Sequence, residues 1–479
     1  MVGDDYVVVS PKNSGVQRAR SLAEYLDTAI AIVDVAEEGN PDSGYVIGDV
    51  EGRCCIMVDD ILNTGEVFSN ASKTLRKAGA KEVVACASHE GKVRKFVENI
   101  YLDHAATSPM HPEVVATMTE ILTETFGNPS SVHLFGRQAA GKLEMAREVI
   151  GKSLGVKYHE IIFNSGGTEG DNTAILETAF SRQQEGRHLI TTQIEHPAVI
   201  NTMKYLETQG FEVTYLPVDR KGNISLEDLD ASLRPDTILV SIMYGNNEIG
   251  NLMPIKEIGE RLKDHPAYFH TDAVQAYGNQ FIRPHELGID FLSISAHKIN
   301  GPKGVGFLFK SDKAQLAPLL HGGEQEEKRR AGTENLAGIC GMAKAVELLT
   351  EEEREKRREL YEQFTQKVLT TLDQADIDYQ VNGDLNNKLP HVLNLRFTGI
   401  NNDLLLMKLD LQGIAVSTGS ACTAGTIDPS HVLEAMYGKK APEIKESVRV
   451  SFGYGNTMEQ VEYFAEQLVP SLQELTKKR

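Results

Sequence analysis

Four stretches carry residues whose types and order suit chemistry. FNSGGTEGDNTA places Gly166, Gly167 and Thr168 between a strand-like run and a helical one. Glycines let a backbone approach a ligand, and the free N–H groups of a helix start bind phosphate. A plain helix cap on a glycine turn has the same sequence. Further on, FHTDAVQ sets Asp272 at the C-terminal end of a strand, where ligands bind in open α/β sheets. SISAHKINGPKG then sets Lys298 beside His297 and Ser295, just past another strand end. A lone lysine there would be solvated, but the order of phosphate cup, carboxylate and amine is more informative than any one member. Those are the needs of pyridoxal phosphate. The carboxylate keeps the ring nitrogen protonated, which makes the ring an electron sink, and the amine bonds to the cofactor. The fourth stretch, STGSACTAG at 417–425, holds Cys422 among small residues that cannot anchor a core. It reads either as a plain surface loop or as a mobile loop carrying a nucleophile.

Strands must end beside these groups, and the hydrophobic pattern supplies them. Seven short runs follow one another, EIIFN, HLITT, EVTYL, TILVSIM, AYFHT, DFLSI and VGFLF, with helical stretches between the earlier ones. That alternation predicts an α/β fold with a mostly parallel seven-stranded sheet covered on both faces. From about Asn335 the pattern changes to a long charged helix, three strand-like runs (VLNLRF, GIAVST, SVRVSF) and a closing amphipathic helix. This reads as a smaller α+β domain. Ahead of Tyr101, the strand-like YVVVS, AIAIVD, CCIMVDD and EVVACAS alternate with the helical VQRARSLAEYL and SNASKTLRKAG. A charged connector, EGKVRKFVENI, follows. The expected domains are 1–97, 100–334 and 335–479, with 100–122 packing against the last.

At 479 residues the chain exceeds one ordinary core. Its 49 Lys and Arg against 68 Asp and Glu give a formal charge of -19. That balance argues against direct nucleic-acid or membrane-surface binding, which needs a positive field. No apolar run approaches the roughly 18 residues of a membrane span, and the N-terminus lacks a signal-peptide pattern. The five cysteines include no CxxC, and Cys54, Cys55 and Cys86 sit in strand-like apolar runs as buried, inert thiols. A reducing cytoplasm and no structural metal site are the expectation.

From residue 100 to about 470 the chain resembles the cysteine desulfurases, pyridoxal-phosphate enzymes of fold type I in the class-V aminotransferase group. The resemblance runs through YLDHAAT, FGNPSS, NSGGTEGDN, IEHPAV, NNEIG, HTDAVQ, SISAHKINGPKG, RRAGTEN and STGSACT. It implies that Lys298 holds the cofactor covalently, that Asp272 pairs with the ring nitrogen and that His196 stacks on the ring. Asn247 and Gln275 would hydrogen-bond the ring hydroxyl oxygen. Gly167, Thr168, Ser295 and His297 would hold the phosphate, joined by Thr333 from the second subunit of a homodimer. Arg449 and Asn128 would grip the substrate carboxylate, a task suited to the two-pronged guanidinium. Cys422 would sit on a flexible loop and attack the sulfur of bound L-cysteine. Alanine then leaves, and the persulfide passes to a sulfur-acceptor protein, an iron–sulfur scaffold or a tRNA-thiolating enzyme. Glu327 stands where the family often carries arginine. Two other readings remain: a selenocysteine lyase or other β-eliminating relative, which does not depend on Cys422, and a non-catalytic scaffold for acceptor proteins. The complete set of cofactor residues favours an enzyme.

Residues 1–97 resemble the C-terminal half of phosphoribosyl diphosphate synthases and related phosphoribosyltransferases, through VVVSPKNSGVQRARSLAEYL, AIAIVD, GDVEGRCCIMVDDILNTGEVF and GAKEVVACASH. The family places the acidic pair, here Asp59 and Asp60, near ribose hydroxyls and metal. The turn of Asn63, Thr64 and Gly65 would bind a 5-phosphate. The half that supplies much of the nucleotide site is missing, and Lys12, Asn13 and Ser14 replace the family's Asp and paired glycines. The expectation is a partial phosphoribosyltransferase-like unit without synthase activity.

Overall fold

The computed structural model describes residues 5–11, 16–35, 44–59, 66–87, 99–418 and 429–477. Contacts divide the chain into two units, Met1–Val97 and Glu98–Arg479. In the first, YVVVS forms β1 (Tyr6–Ser10), and Val7, Val8 and Val9 are all fully buried. A β-branched run hidden on both faces is the mark of a central strand. With β2 (Ala29–Val35), β3 (Gly44–Ile47), β4 (Cys54–Asp59) and β5 (Glu82–Ala87) it makes a sheet of order β3-β2-β1-β4-β5. All pairs are parallel except β2 with β3. The sequence reading lacked β3, a four-residue edge strand with alternate residues exposed. The helices Val16–Leu26 and Glu66–Lys77 complete the unit, the second burying Ala71 and Leu75. Burial pushes the Cys55 thiol up to about 11, so it is inert. The Cys86 side chain lies outside the described residues.

The second unit opens with β6 (Ile100–Tyr101). Its large sheet contains β7 (Ile161–Asn164), β8 (His188–Thr192), β9 (Glu212–Leu216), β10 (Thr237–Ser241), β11 (Tyr268–Asp272), β12 (Phe291–Ser295) and β13 (Gly306–Lys310). These are the seven expected runs, in the order β7-β13-β12-β11-β10-β8-β9. Only β13 runs antiparallel to its neighbours. Every residue of β7, β8, β10 and β12 is buried, as a sheet sandwiched between helices requires.

The remaining strands are β14 (Gln380–Asn382), β15 (Val392–Arg396), β16 (Ile414–Ala415) and β17 (Ser447–Ser451). β14, β15 and β17 form an antiparallel sheet, while β16 pairs with β6. A separate core of Phe364, Leu393, Phe452 and Phe464 includes Ile100 and Leu102 from the start of the unit. Helix Pro112–Glu124 packs instead on Leu336–Leu348, whose buried side chains join the core of the large sheet. Among the described residues no helix is long and apolar enough to cross a membrane.

Candidate active site

β7 ends at Asn164, whose Oδ1 accepts the Gly166 N–H at 3.0 Å and turns the chain. Gly166 has φ 139°, a conformation open to glycine and strained for other residues. A Cβ there would stand 3.3 Å from Ser295 Oγ, and one at Gly167 would stand 2.8 Å from Val274 Cγ2. Helix Gly167–Arg182 begins at once, so the N–H groups of its first turn have no partner within the helix. Thr168 is exposed at that start, Ser295 closes β12, and His297 follows with Nδ1 3.1 Å from Thr107 Oγ1. A bare glycine cradle at a helix start suits a phosphate group.

Asp272 is the buried last residue of β11, and its Oδ1 accepts the Val274 N–H at 2.9 Å. His196 caps helix Pro197–Thr208, where proline fits the first helical position and Nδ1 accepts the Ala198 N–H. One polar atom each from Asp171, His196 and Asp272 lies within 4.8 Å of the others. Burial raises Asp272 to about 6, with the neighbouring Asp171 adding to it. Burial likewise raises Asp171 to about 7 and Glu195 to about 8. Three carboxyl groups packed so closely in the interior cannot all be charged. His270 does not supply the missing cation: burial lowers it to about 4, and Ser241 and Ser293 hold its ring at 2.8 and 3.0 Å. A protonated pyridine nitrogen is the positive charge that this acidic corner lacks.

Lys298 sits just past β12 and donates from Nζ to Ala105 O at 2.5 Å and Ala106 O at 2.7 Å. Burial, helped by the nearby Arg449, lowers its amine to about 8 against the opposing pull of Asp103 and Asp272. An amine poised near neutrality is a competent nucleophile and base. Arg449 projects from β17 and donates to Asn247 O at 2.9 Å and Asp103 Oδ1 at 2.6 Å. Asn247 is placed by a turn in which Asn246 Oδ1 accepts the N–H groups of Glu248 and Ile249. The phosphate cradle, buried acid and low-pKa amine together fit pyridoxal phosphate.

Not every expected contact is made. Gln275 donates from Nε2 to Ala105 O at 2.9 Å, while its Oε1 lies 3.2 Å from His391 Nε2, so one amide hydrogen remains for a ring oxygen. Asn128 is exposed in the connection before helix Leu134–Leu154, with Oδ1 accepting the Ser130 N–H. Thr333 is also exposed. Cys422 lies outside the described residues, as do Asp60, Asn63, Thr64 and Gly65, and the Asp59 side chain is not described. The chain leaves for Cys422 just after Ser417, whose backbone pairs with Arg449 in both directions at 3.1 and 2.6 Å.

Residues 100–464 match the aminotransferase class-V family, and residues 3–107 match the phosphoribosyl transferase domain. A putative cysteine desulfurase IscS 1 of Bacillus subtilis (strain 168) is 52% identical over 380 residues, 79% of this chain and 100% of that protein. The chain belongs to the cysteine desulfurases of the class-V aminotransferase family. A cysteine desulfurase IscS of Dictyoglomus turgidum is 46% identical over 379 residues, 78% of this chain and 95% of the relative. Among solved structures, a NifS-like protein superposes with a TM-score of 0.74 at 36% identity, covering 79% of this chain and 100% of that one. SspA in complex with cysteine gives 0.65 at 35% identity, covering 74% and 98%.

This desulfurase-family chain braces its phosphate turn with residues that the sequence reading passed over. Arg330 donates to both oxygens of Glu169 at 2.8 and 3.2 Å, and Glu169 accepts the Ser165 N–H within the turn. Four residues before Arg330, Glu326 is buried and bound in two-pronged fashion by Arg147, both bonds at 2.7 Å, and it accepts the Phe163 N–H of β7 at 2.9 Å. Glu327, which drew notice as a departure, points outward with its side chain 69% exposed, beside Arg329. Glu326, Glu327 and Lys328 all have positive φ (49°, 56° and 67°), strained for residues with a Cβ. The Glu326 pair is what holds that strained run down. Glu326→Ala should destabilise the protein by about 3–5 kcal/mol, because it removes the buried two-pronged partner of Arg147 and leaves that cation only Ile161 O at 2.9 Å and the half-exposed Glu144 at 3.4 Å. Glu327→Arg should change stability by less than about 0.5 kcal/mol, as exposed sites do. Denaturant midpoints of the two variants check the contrast.

Proposed function

We propose that the chain converts L-cysteine to L-alanine and retains the sulfur as a persulfide on Cys422. The observation that carries this reading is that the Lys298 amine lies within electrostatic reach of both Arg449 and Asp272. A cation for the substrate carboxylate, an amine and the acid for a ring nitrogen thus share one site. Pyridoxal phosphate bound there, by the Gly167–Thr168 helix start with Ser295 and His297, supplies the electron sink for chemistry at the substrate α-carbon. Arg449 binds the substrate carboxylate in competition with Asp103. Lys298 takes the α-proton on Nζ and later returns a proton to carbon. The Cys422 thiolate attacks the substrate sulfur. An S–S bond forms as the carbon–sulfur bond breaks, and the electron pair stays with carbon, which is protonated to alanine. Cys422 lies five residues after Ser417, and at about 3.5 Å per residue that stretch spans no more than about 18 Å.

The sulfur then passes to an acceptor protein, an iron–sulfur scaffold or a tRNA-thiolating enzyme, in the cytoplasm. We place the enzyme as a homodimer. Phe126, Val132, Leu134 and Phe135 are 71%, 90%, 56% and 51% exposed on one short segment, an apolar surface suited to a second copy. Thr333 would reach the phosphate of that second copy. Incubation with L-cysteine followed by peptide mass mapping tests the reading: added sulfur should appear on the Cys422 peptide, with one alanine per sulfur. Pyruvate in place of alanine, or sulfur elsewhere, would reject it. Residues 1–97 are proposed to be dispensable for this chemistry. A chain beginning at Asn99 should keep cysteine turnover, and calorimetry of the full chain should show at most weak binding of ribose 5-phosphate.

A further inference from the structure

The N–H groups around the start of helix Gly167–Arg182 fall into two sets. Gly166 N–H goes to Asn164 Oδ1 at 3.0 Å, and Ser165 N–H goes to Glu169 Oε2 at 2.9 Å. Those of Gly167, Thr168 and Glu169, the first three helical positions, have no acceptor within the helix. The turn that leaves these donors free is thus shaped by a side chain that is itself an anion. The Glu169 carboxylate folds back over the helix start, where the helix dipole favours negative charge. A phosphate is drawn to the same end for the same reason, and two anions brought there repel.

Arg330 meets that conflict from a segment 161 residues further along the chain. Its Nε donates to Glu169 Oε1 at 2.8 Å and its Nη2 to Oε2 at 3.2 Å. The two side chains are only 24% and 11% exposed, so water and salt screen them poorly. Burial pushes the Glu169 carboxyl up, but the bonds from Arg330 and Ser165 outweigh it and hold the group below its ordinary range. Glu169 therefore stays charged. Glu326 and Glu334 also act on Arg330, and Glu326 already has Arg147 as its own partner. We infer that Arg330 is a positioning residue for the cofactor phosphate that works by charge: it cancels the Glu169 carboxylate, so that the free N–H groups of Gly167 and Thr168 meet the phosphate without an unpaired anion beside them. The inference rests on this helix start being the phosphate site.

A charge screen and a mere brace predict different results, which separates them. The cofactor-stripped full chain is titrated with pyridoxal phosphate and with pyridoxal, which lacks the phosphate. Arg330→Gln should raise the Kd for pyridoxal phosphate by about tenfold and that for pyridoxal by less than about twofold, since the repulsion falls on the phosphate alone. Arg330→Lys keeps the charge without the fork and should recover most of that loss. Glu169→Gln keeps an acceptor for the Ser165 N–H and for Arg330 but loses the charge, so it should bind pyridoxal phosphate at least as tightly as wild type. Adding Glu169→Gln to Arg330→Gln should return the affinity towards wild type. If the pair were only a brace, Glu169→Gln would weaken binding as Arg330→Gln does. That result would overturn the inference, as would an unchanged Kd in folded Arg330→Gln. Should Arg330→Gln not fold, the Glu169→Gln titration decides alone. A wild-type protein that held pyridoxal phosphate no tighter than pyridoxal would instead sink the phosphate assignment itself, and the two failures are told apart.

Discussion

Lys298→Ala yields a folded protein that binds pyridoxal phosphate without a covalent link and loses cysteine turnover by at least about a thousandfold. The fold should survive because, among the described residues, the Lys298 amine makes no ion pair; its bonds there go to the carbonyls of Ala105 and Ala106. Burial already disfavours its charge, so removing the amine takes away a strained group rather than a brace. Cofactor affinity falls less than activity, since the phosphate cradle at Gly166 and Gly167 and the acid at Asp272 remain. Chemistry suffers doubly. Both the covalent bond to the cofactor and the base for the α-proton disappear, and positioned proton transfer alone contributes about 10²–10⁴-fold. Borohydride reduction followed by peptide mapping should label the Lys298 peptide in wild type and nothing in the variant. Normal alanine formation by Lys298→Ala would remove this residue from the mechanism.

In the large sheet β7 (IIFN) and β10 (TILVS) were legible because strands buried on both faces read as near-continuous apolar runs, while β8 (HLITT) and β11 (YFHTD), which bury polar residues, were placed by their alternation with helical stretches. β3 and β14 escaped notice for the opposite reason. Each is a short edge strand of three or four residues whose pattern is too brief to show a period. In the site, motif order located Asp272, His196 and Lys298, which the fold brings close together. It could not show Asp171, Glu195 and His270, because a buried charge has no sequence period and earns its meaning only from neighbours brought by other strands. Glu326 and Glu327 make the point most sharply. They are adjacent and chemically identical, yet one is clamped by Arg147 and the other faces solvent. The sequence drew attention to the exposed one, and only the fold, which brings the Arg147 guanidinium and the Phe163 N–H to Glu326, shows which side chain turns inward.

Cys422→Ser separates cofactor binding from sulfur transfer. Every residue assigned to the cofactor lies elsewhere in the chain: Gly167, Thr168 and His196 on the early crossovers, Asn247 after β10, Asp272 and Gln275 at and after the end of β11, Ser295, His297 and Lys298 at and after the end of β12, and Thr333 before helix Leu336–Leu348. The variant should therefore bind pyridoxal phosphate with an unchanged visible spectrum and an unchanged affinity. Persulfide formation and alanine release from L-cysteine should fall by at least about a thousandfold, since a serine hydroxyl is a far weaker nucleophile than a thiolate. Wild-type persulfide formation should rise with pH as the thiol ionises, from an unperturbed value of about 8.5. Selenocysteine supplies the discriminating substrate. Selenium leaves carbon more readily than sulfur, so Cys422→Ser should still release alanine from it slowly, showing that Lys298 and the cofactor remain competent. Wild-type rates on L-cysteine in the serine variant would mean that carbon–sulfur cleavage needs no protein thiolate. The β-eliminating reading would then replace the persulfide one, while the assignments of Lys298, Asp272 and Arg449 would stand.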